Sequence, residues 1–209
     1  MSTGQTTVFV VDDDKAVCRS LERLIRSAGW IVEAFASARE FLERAPSAGT
    51  GCVLLDVQMP GIAGPELHDR MLERGFTLPV VFLTAHGDVP TSVQAMKKGA
   101  VDFLLKPVDE EVLLDTIRRA VERHAAERAR QKERQDIAER LHRLSSRERE
   151  VMDHVIRGRL NKQIAGVLGI SEKTVKVHRA RVMDKMEVGS VAELVHLWDM
   201  AGMPSSPAF

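Results

Sequence analysis

Five side chains with chemistry to offer stand directly behind short apolar runs in the first half of the chain. Asp12 and Asp13 follow Val8–Val11, Asp56 follows Cys52–Leu55, Thr84 follows Pro79–Leu83 and Lys106 follows Val101–Leu105. Grouped carboxylates repel one another unless a cation neutralises them. Hard oxygen ligands suit Mg²⁺, which takes one or two carboxylates and leaves room for water or phosphate oxygens. A carboxylate held beside that metal can attack phosphorus and become an aspartyl phosphate. A lysine can neutralise the phosphoryl oxygens, and a threonine hydroxyl can hydrogen-bond one of them. Each residue alone is weak evidence, because an Asp behind a strand most often shapes a turn or caps a helix. Their order along one chain carries the weight.

Those five residues need a scaffold that brings them together. The apolar runs at 8–11, 31–35, 52–55, 79–83 and 101–105 have the length and composition of buried strands. Helical spacing separates them. Val17, Leu21, Leu24 and Ile25 form a stripe that closes at Gly29, and Leu67–Leu72 forms another. Ser37 is placed to cap a helix carrying Phe41 and Leu42, with Glu40 as its capping-box partner. A further helix runs from about Pro90 to Lys98, with Val93 and Met96 expected inside. Strand and helix alternate five times, which makes a parallel sheet covered on both faces. Functional groups of such sheets gather outside the carboxyl ends of the strands, where all five residues fall.

Strand signals stop after residue 110. Leu113, Ile117 and Val121 keep a helical stripe, and residues 122–143 are then almost wholly charged, Ala or Gln without Pro or Gly. The spacing favours a linker helix over a disordered linker, with Ile137, Leu141 and Leu144 as packing or dimer contacts. The apolar seam is too short for a coiled coil. Ser145 and Glu148 have capping-box spacing and open an all-helical segment. Within it, Asn161–Leu168 ends at Gly169, and Ser171 caps a second helix over Glu172–Met186. This is helix-turn-helix spacing. Lys173, Lys176, Arg179 and Arg181 are read as outward, with Val175, Val182 and Met186 available for a core. A helix start rich in cations suits phosphates, and side chains near it can reach base edges. The tail from Gly202 to Phe209 reads as frayed.

Two known families resemble these two halves. The pair Asp12-Asp13, the segment Leu55-Asp56-Val57-Gln58-Met59-Pro60-Gly61, then Thr84-Ala85 and Lys106-Pro107, resemble a response-regulator receiver domain. The stretches from Thr84 to Pro90 and from Ala95 to Phe103 are similar to the FixJ type. The resemblance implies a flavodoxin-like α/β fold with Asp56 as phosphoacceptor. It implies Mg²⁺ on Asp13, Asp56 and the Gln58 backbone carbonyl, with Asp12 acting through metal-bound water. Lys106 pairs with the phosphate, and its bond to Pro107 is cis. Thr84 and Phe103 form the switch, Phe103 turning inward when Thr84 moves. His86 is read as a structural loop residue and not as a base. Val108 stands where the family often has Phe, a change expected to affect packing and not chemistry.

The segments 144–151, 161–165 and 167–178 closely resemble the LuxR-type DNA-binding domain, a four-helix module. That resemblance implies that Lys173, Thr174, Lys176, His178 and Arg179 face DNA. Val175 is left as either a thymine-methyl contact or core, and Leu194 and Trp198 as either dimer helix or core. The expected organisation is therefore a receiver over 1–122, a helical linker over 123–141 and a DNA-binding domain with a short tail over 142–209.

Composition agrees with two jobs. The net charge of zero divides into −5 over residues 1–122 and +5 over 123–209. No apolar run is long enough for a membrane span, and the start of the chain lacks the order of a signal peptide. Cys18 and Cys52 have no metal spacing, so a reduced cytoplasmic chain is expected. The combined reading is a two-component response regulator and transcription factor. A sensor histidine kinase phosphorylates it, it forms a homodimer on phosphorylation, and it binds double-stranded promoter DNA and RNA polymerase. It is not an enzyme beyond slow loss of its own phosphate. One rival is a constitutive DNA binder with the receiver as scaffold. The other is an Asp-nucleophile phosphatase or hydrolase, disfavoured by Gln58 where a second acid would stand.

Overall fold

Val, Ile, Leu and Phe occur in runs too short for a helix core and too apolar for a surface, so they form strands buried on both faces. The computed structural model describes residues 6–44, 49–85 and 89–202. His86, the residues before Thr6 and those after Gly202 lie outside them. The chain divides into two compact units between Arg128 and Ala129. In the first, strands β1 (Thr7–Val11), β2 (Ile31–Phe35), β3 (Gly51–Asp56), β4 (Val80–Thr84) and β5 (Asp102–Leu105) make one parallel sheet in the order β2-β1-β3-β4-β5. This is the flavodoxin-like order, whose ligand crevice lies where the connections change direction.

The pleat sends alternate side chains to opposite faces. Phe9, Phe35, Val53, Leu55 and Phe82 meet α2 (Ala38–Arg44), α3 (Gly64–Glu73) and α4 (Val89–Lys97) through Phe41, Leu67, Met71 and Ala95. Val8, Val10, Leu54, Val81 and Leu83 meet α1 (Lys15–Ser27) and α5 (Glu110–His142) through Leu21, Ile25, Leu113 and Ile117. Two details differ from the sequence expectation. Val93 and Met96 are nearly half exposed, and α4 turns Ala95 to the sheet instead, a small side chain that lets the helix lie close. Ser37 does accept the Glu40 N–H, but the Glu40 carboxylate takes the N–H of Ala36 in place of that of Ser37. Both cysteines are buried, and burial pushes their thiols up to about 11 for Cys18 and about 12 for Cys52.

The second unit is helical. Its helices α6 (Ser146–Ile156), α7 (Asn161–Leu168), α8 (Glu172–Met186) and α9 (Val191–Met200) enclose Val151, Met152, Val155, Ile164, Val175, Val182, Met186 and Leu194. The last turns of α5 add Ile137 and Leu141, and Leu144 follows them in. These three residues therefore serve the unit's own core, as do Val175 and Leu194, with Trp198 packed against it.

A charged network closes the start of α6. The Ser145 hydroxyl accepts the Glu148 N–H, and the Glu148 carboxylate accepts the Ser145 N–H at 2.9 Å. The same oxygen accepts Lys185 of α8 at 2.6 Å, and Lys185 also donates to the Arg143 carbonyl. The Lys185 ammonium, then the Ser145 N–H, hold the Glu148 carboxyl down at about 2. A depressed carboxylate stabilises the fold above its unfolded value and loses that contribution as pH falls toward the folded one. Glu148→Gln keeps the cap and removes the charge. It is expected to cost the second unit about 2 kcal/mol at pH 7, with most of the difference from wild type gone by pH 3. Urea unfolding followed by Trp198 fluorescence in a Trp30→Phe background reads this unit, and an equal loss at both pH values would contradict the assignment.

Candidate functional site

The sheet delivers its polar residues to one place because β1 and β3 are neighbours with Val11 opposite Leu55. The residues that follow, Asp12 and Asp56, then emerge side by side, both buried. Lys106 reaches them from the end of β5. Its Nζ donates to Asp12 Oδ2 and to Asp56 Oδ1, each at 2.6 Å. Each carboxylate spends its other oxygen on the backbone. The Asp14 N–H donates to Asp12 Oδ1, and the Gln58 N–H donates to Asp56 Oδ2, both at 2.9 Å. Burial raises the Asp56 carboxyl, with the Lys106 ammonium pulling the other way. Burial alone would lower the Lys106 amine, yet its bonds to Asp12 and Asp56 win and raise it. The lysine is therefore a fixed cation, and its charge favours the ionised form of Asp56.

Asp13 lies beside them, exposed, and one carboxylate oxygen from each of Asp12, Asp13 and Asp56 falls within 4.8 Å of the others. Three hard anionic donors around one point, one of them open to solvent, fit Mg²⁺ with retained water. The Gln58 backbone stands beside Asp56 through its N–H bond. Three neighbours that sequence reasoning missed complete the arrangement. Asp14 caps α1 by accepting the N–H groups of Ala16 and Val17. The Cys18 thiol donates to the Asp12 carbonyl. Gly64 begins α3 so close to β3 that a Cβ there would lie 2.2 Å from the Asp56 carbonyl oxygen. The pair Gly64-Pro65 was the available signal, since Pro favours the first helical turn.

Thr84 ends β4, is buried, and gives its carbonyl to the Lys106 N–H at 2.7 Å. The Lys106–Pro107 bond is cis. Phe103 is half-buried and lies against Phe82, ring centroids 5.9 Å apart, and Phe82 meets the buried His68 edge-on at 5.6 Å. Beside this stack is a cavity of about 280 Å³ lined by Pro65, His68, Phe82, Pro90, Gln94, Ala95 and Lys98. On the outer side, Val93, Met96 and Leu105 expose about half of their surface.

In the second unit Gly169 adopts the left-handed conformation that ends α7, and the Ser171 hydroxyl accepts the Thr174 N–H to start α8. Lys173, Lys176 and Arg181 are exposed. Val177 is exposed on the same side of α8, whereas Val175 is fully buried. Of the two roles left open for Val175, thymine-methyl contact or core, burial settles it as core. Thr174, His178 and Arg179 are half-buried, and Arg179 donates to Asn161 Oδ1 at the start of α7.

Known proteins share both units. The family model of the response regulator receiver domain matches residues 8–118, and that of bacterial regulatory proteins of the luxR family matches residues 142–198. The transcriptional regulatory protein FixJ of Bradyrhizobium diazoefficiens is 45% identical over 201 residues, covering 96% of this chain and 98% of the relative. The response regulator protein TodT of Pseudomonas putida is 43% identical over 197 residues, covering 94% and 87%. Among solved structures, the response regulator StyR is 46% identical with a TM-score of 0.88, covering 93% of this chain and 98% of that one. No described helix is long and apolar enough to cross a membrane.

The close approach at Gly64 makes it a test of the acidic pocket. Gly64→Ala must push α3 off the Asp56 backbone, and Mg²⁺ affinity is expected to fall by about tenfold while the far-UV circular dichroism stays native. A Mg²⁺ titration followed by the amide signals of Asp13 and Gln58 measures this, and unchanged affinity would show that the loop geometry does not set the site.

Proposed function

The chain belongs to the response regulators that carry a LuxR-type DNA-binding domain, and on that premise we propose that it is a transcription factor switched by phosphorylation of Asp56. The observation that carries this reading is the Lys106 ammonium bridging Asp12 and Asp56 at the end of the sheet, in a chain that also presents a basic helix. The receiver occupies 1–122, a helical linker 123–141 and the DNA-binding domain 142–209. The protein works in the cytoplasm and has no catalytic turnover apart from slow loss of its own phosphate.

A sensor histidine kinase supplies the phosphoryl group. An Asp56 carboxylate oxygen forms the new P–O bond as the P–N bond of the phosphohistidine breaks, and the imidazole leaves with the bond's electron pair. Asp13, Asp56 and the Gln58 carbonyl would hold Mg²⁺, and Asp12 would act on it through water. The ion, when bound, neutralises charge on the phosphoryl oxygens. Lys106 is already in place and needs no reorganisation, which is the advantage of fixed charge at a reacting centre. The arrival of about two negative charges moves the Lys106 partner from carboxylate to phosphoryl oxygen. Thr84 turns its hydroxyl toward the same group, and Phe103 packs inward along Phe82. The cavity beside Phe82 gives that stack and α4 room to repack.

The outer surface of α4 and β5 is the output face. Val93, Met96 and Leu105 expose apolar surface there, and burial between two copies joins two DNA-binding domains. Two half-sites bound together convert a modest gain in dimer affinity into a large gain in occupancy. On α8, Lys173, Lys176 and Thr174 face the groove and Val177 meets a thymine methyl. His178 and Arg179 flank that face and take phosphate contacts, with Asn161 setting the angle of Arg179. RNA polymerase is the downstream partner.

Beryllofluoride with Mg²⁺ stands in for the phosphoryl group. It is expected to tighten promoter binding by about 10–100-fold, and Asp56→Asn is expected to fold normally and lose that gain. Fluorescence anisotropy with labelled DNA at two salt concentrations measures both. Strong binding that ignores the mimic would favour the constitutive scaffold. Arg179→Ala in the activated protein is expected to lower the slope of log affinity against log salt by about one, and an unchanged slope would remove Arg179 from the phosphate contacts.

A further inference from the structure

One buried histidine has no part in the pocket, the switch or the DNA face. His124 lies on α5 and exposes 2% of its surface. Both ring nitrogens are engaged. Nδ1 accepts the N–H of Gly51, the first residue of β3, at 3.1 Å. Nε2 stands 3.3 Å from Oγ1 of Thr77, in the segment before β4. Because Gly51 brings only a donor, Nδ1 must carry the lone pair and Nε2 the proton. The imidazole is neutral in this arrangement, and its Nε2–H points at the threonine oxygen.

We propose that His124 is a pH-responsive latch that holds the outgoing part of α5 against the start of β3. Protonation would place an N–H on Nδ1, facing the Gly51 N–H, and two donors cannot pair. One side must give way. The strand side is pinned, since the Gly51 Cα is packed so tightly that a Cβ would lie 2.1 Å from the Thr7 carbonyl oxygen. The helix side is free to yield. Ala120 is the last buried position before His124, and no described residue from 125 to 136 is buried. His124 is therefore the last anchor of α5 on the first unit. Its release moves the take-off point of the linker back by about one helical turn, to Ala120 and the half-buried Val121.

The surroundings favour the neutral ring. The charged groups acting on it are Glu127 and Arg128 of α5 itself, while Gly51 and Thr77 bring none. Glu127 is engaged by Arg123 at 2.9 Å. Burial, then the Arg128 guanidinium, lower the His124 pKa, while the Gly51 bond and the Glu127 charge raise it. With a folded value below the unfolded one, the cost of the latched state grows as pH falls below about 6.5 and levels off once the folded value is passed. His68 and His154 are also lowered by burial, so overall stability against pH does not isolate this group and a local readout is needed.

Hydrogen exchange of the full chain, resolved by residue and normalised to the intrinsic rate at each pH, provides it. Between pH 7.5 and pH 5.5, protection at Gly51 and at residues 121–128 is expected to fall by about tenfold, with Ile117 and β4 unchanged. His124→Gln retains an acceptor for Gly51 and cannot titrate, so its protection should be the same at both pH values. An unchanged wild type, or an equal loss in the Gln variant, would overturn the latch. Should that variant fail to fold, nitrogen NMR of the wild-type ring decides. An Nε2–H tautomer at pH 7.5 that gains its second proton with the loss of Gly51 protection supports the proposal, and an Nδ1–H tautomer ends it.

Discussion

A single ammonium group holds two buried carboxylates at the mouth of a parallel sheet, and much of the first unit exists to keep that contact. Asp12 and Asp56 are expensive to remove from water, and Lys106 offsets the cost only while its Nζ stays within hydrogen-bonding distance of both. The two acids come from adjacent strands and the amine from β5, on the far side of β4. The contact thus depends on three strand pairings in register. A slip of one residue in any of them would turn the alternating core side chains to the wrong faces as well as separating the charges. Tight packing at Gly51 against Thr7, and at Gly64 against Asp56, fixes β3 at both its ends. Packing and polar chemistry are here one specification.

Much of this was legible in the sequence. The five strands, their parallel arrangement and the convergence of Asp12, Asp13, Asp56 and Lys106 follow from apolar runs that each end in a polar residue. Capping residues Ser145 and Ser171 also announced their helices, because a side-chain acceptor three residues before an N–H is a local device. What escaped was set by tertiary contact. Val93 and Met96 looked like core because they are apolar at helical spacing, yet the sheet accepts the smaller Ala95. His124 sits in a charged stretch with no pattern to single it out, and its partners are Gly51 and Thr77, remote in sequence.

The second unit solves a different problem with fewer residues. Its core is small, and it draws on the end of α5 to complete it. Polar closure then matters more. Glu148, Ser145, Lys185 and the Arg143 carbonyl tie the entrance of α6 to α8. The helix that presents Lys173 and Lys176 is therefore braced at its far end by an ion pair and near its start by the buried Val175, while the two lysines stay exposed.

The two buried thiols carry a practical consequence. With Cys18 near 11 and Cys52 near 12, neither sulfur offers an appreciable thiolate at neutral pH, and only the thiolate is a competent nucleophile. Thiol-directed alkylating labels find little native thiolate to attack in the folded protein. A cysteine introduced at an exposed position such as Met96 would be far more reactive than the two native thiols, so a spin label or fluorophore could report on the α4 surface without first stripping the protein of its own cysteines.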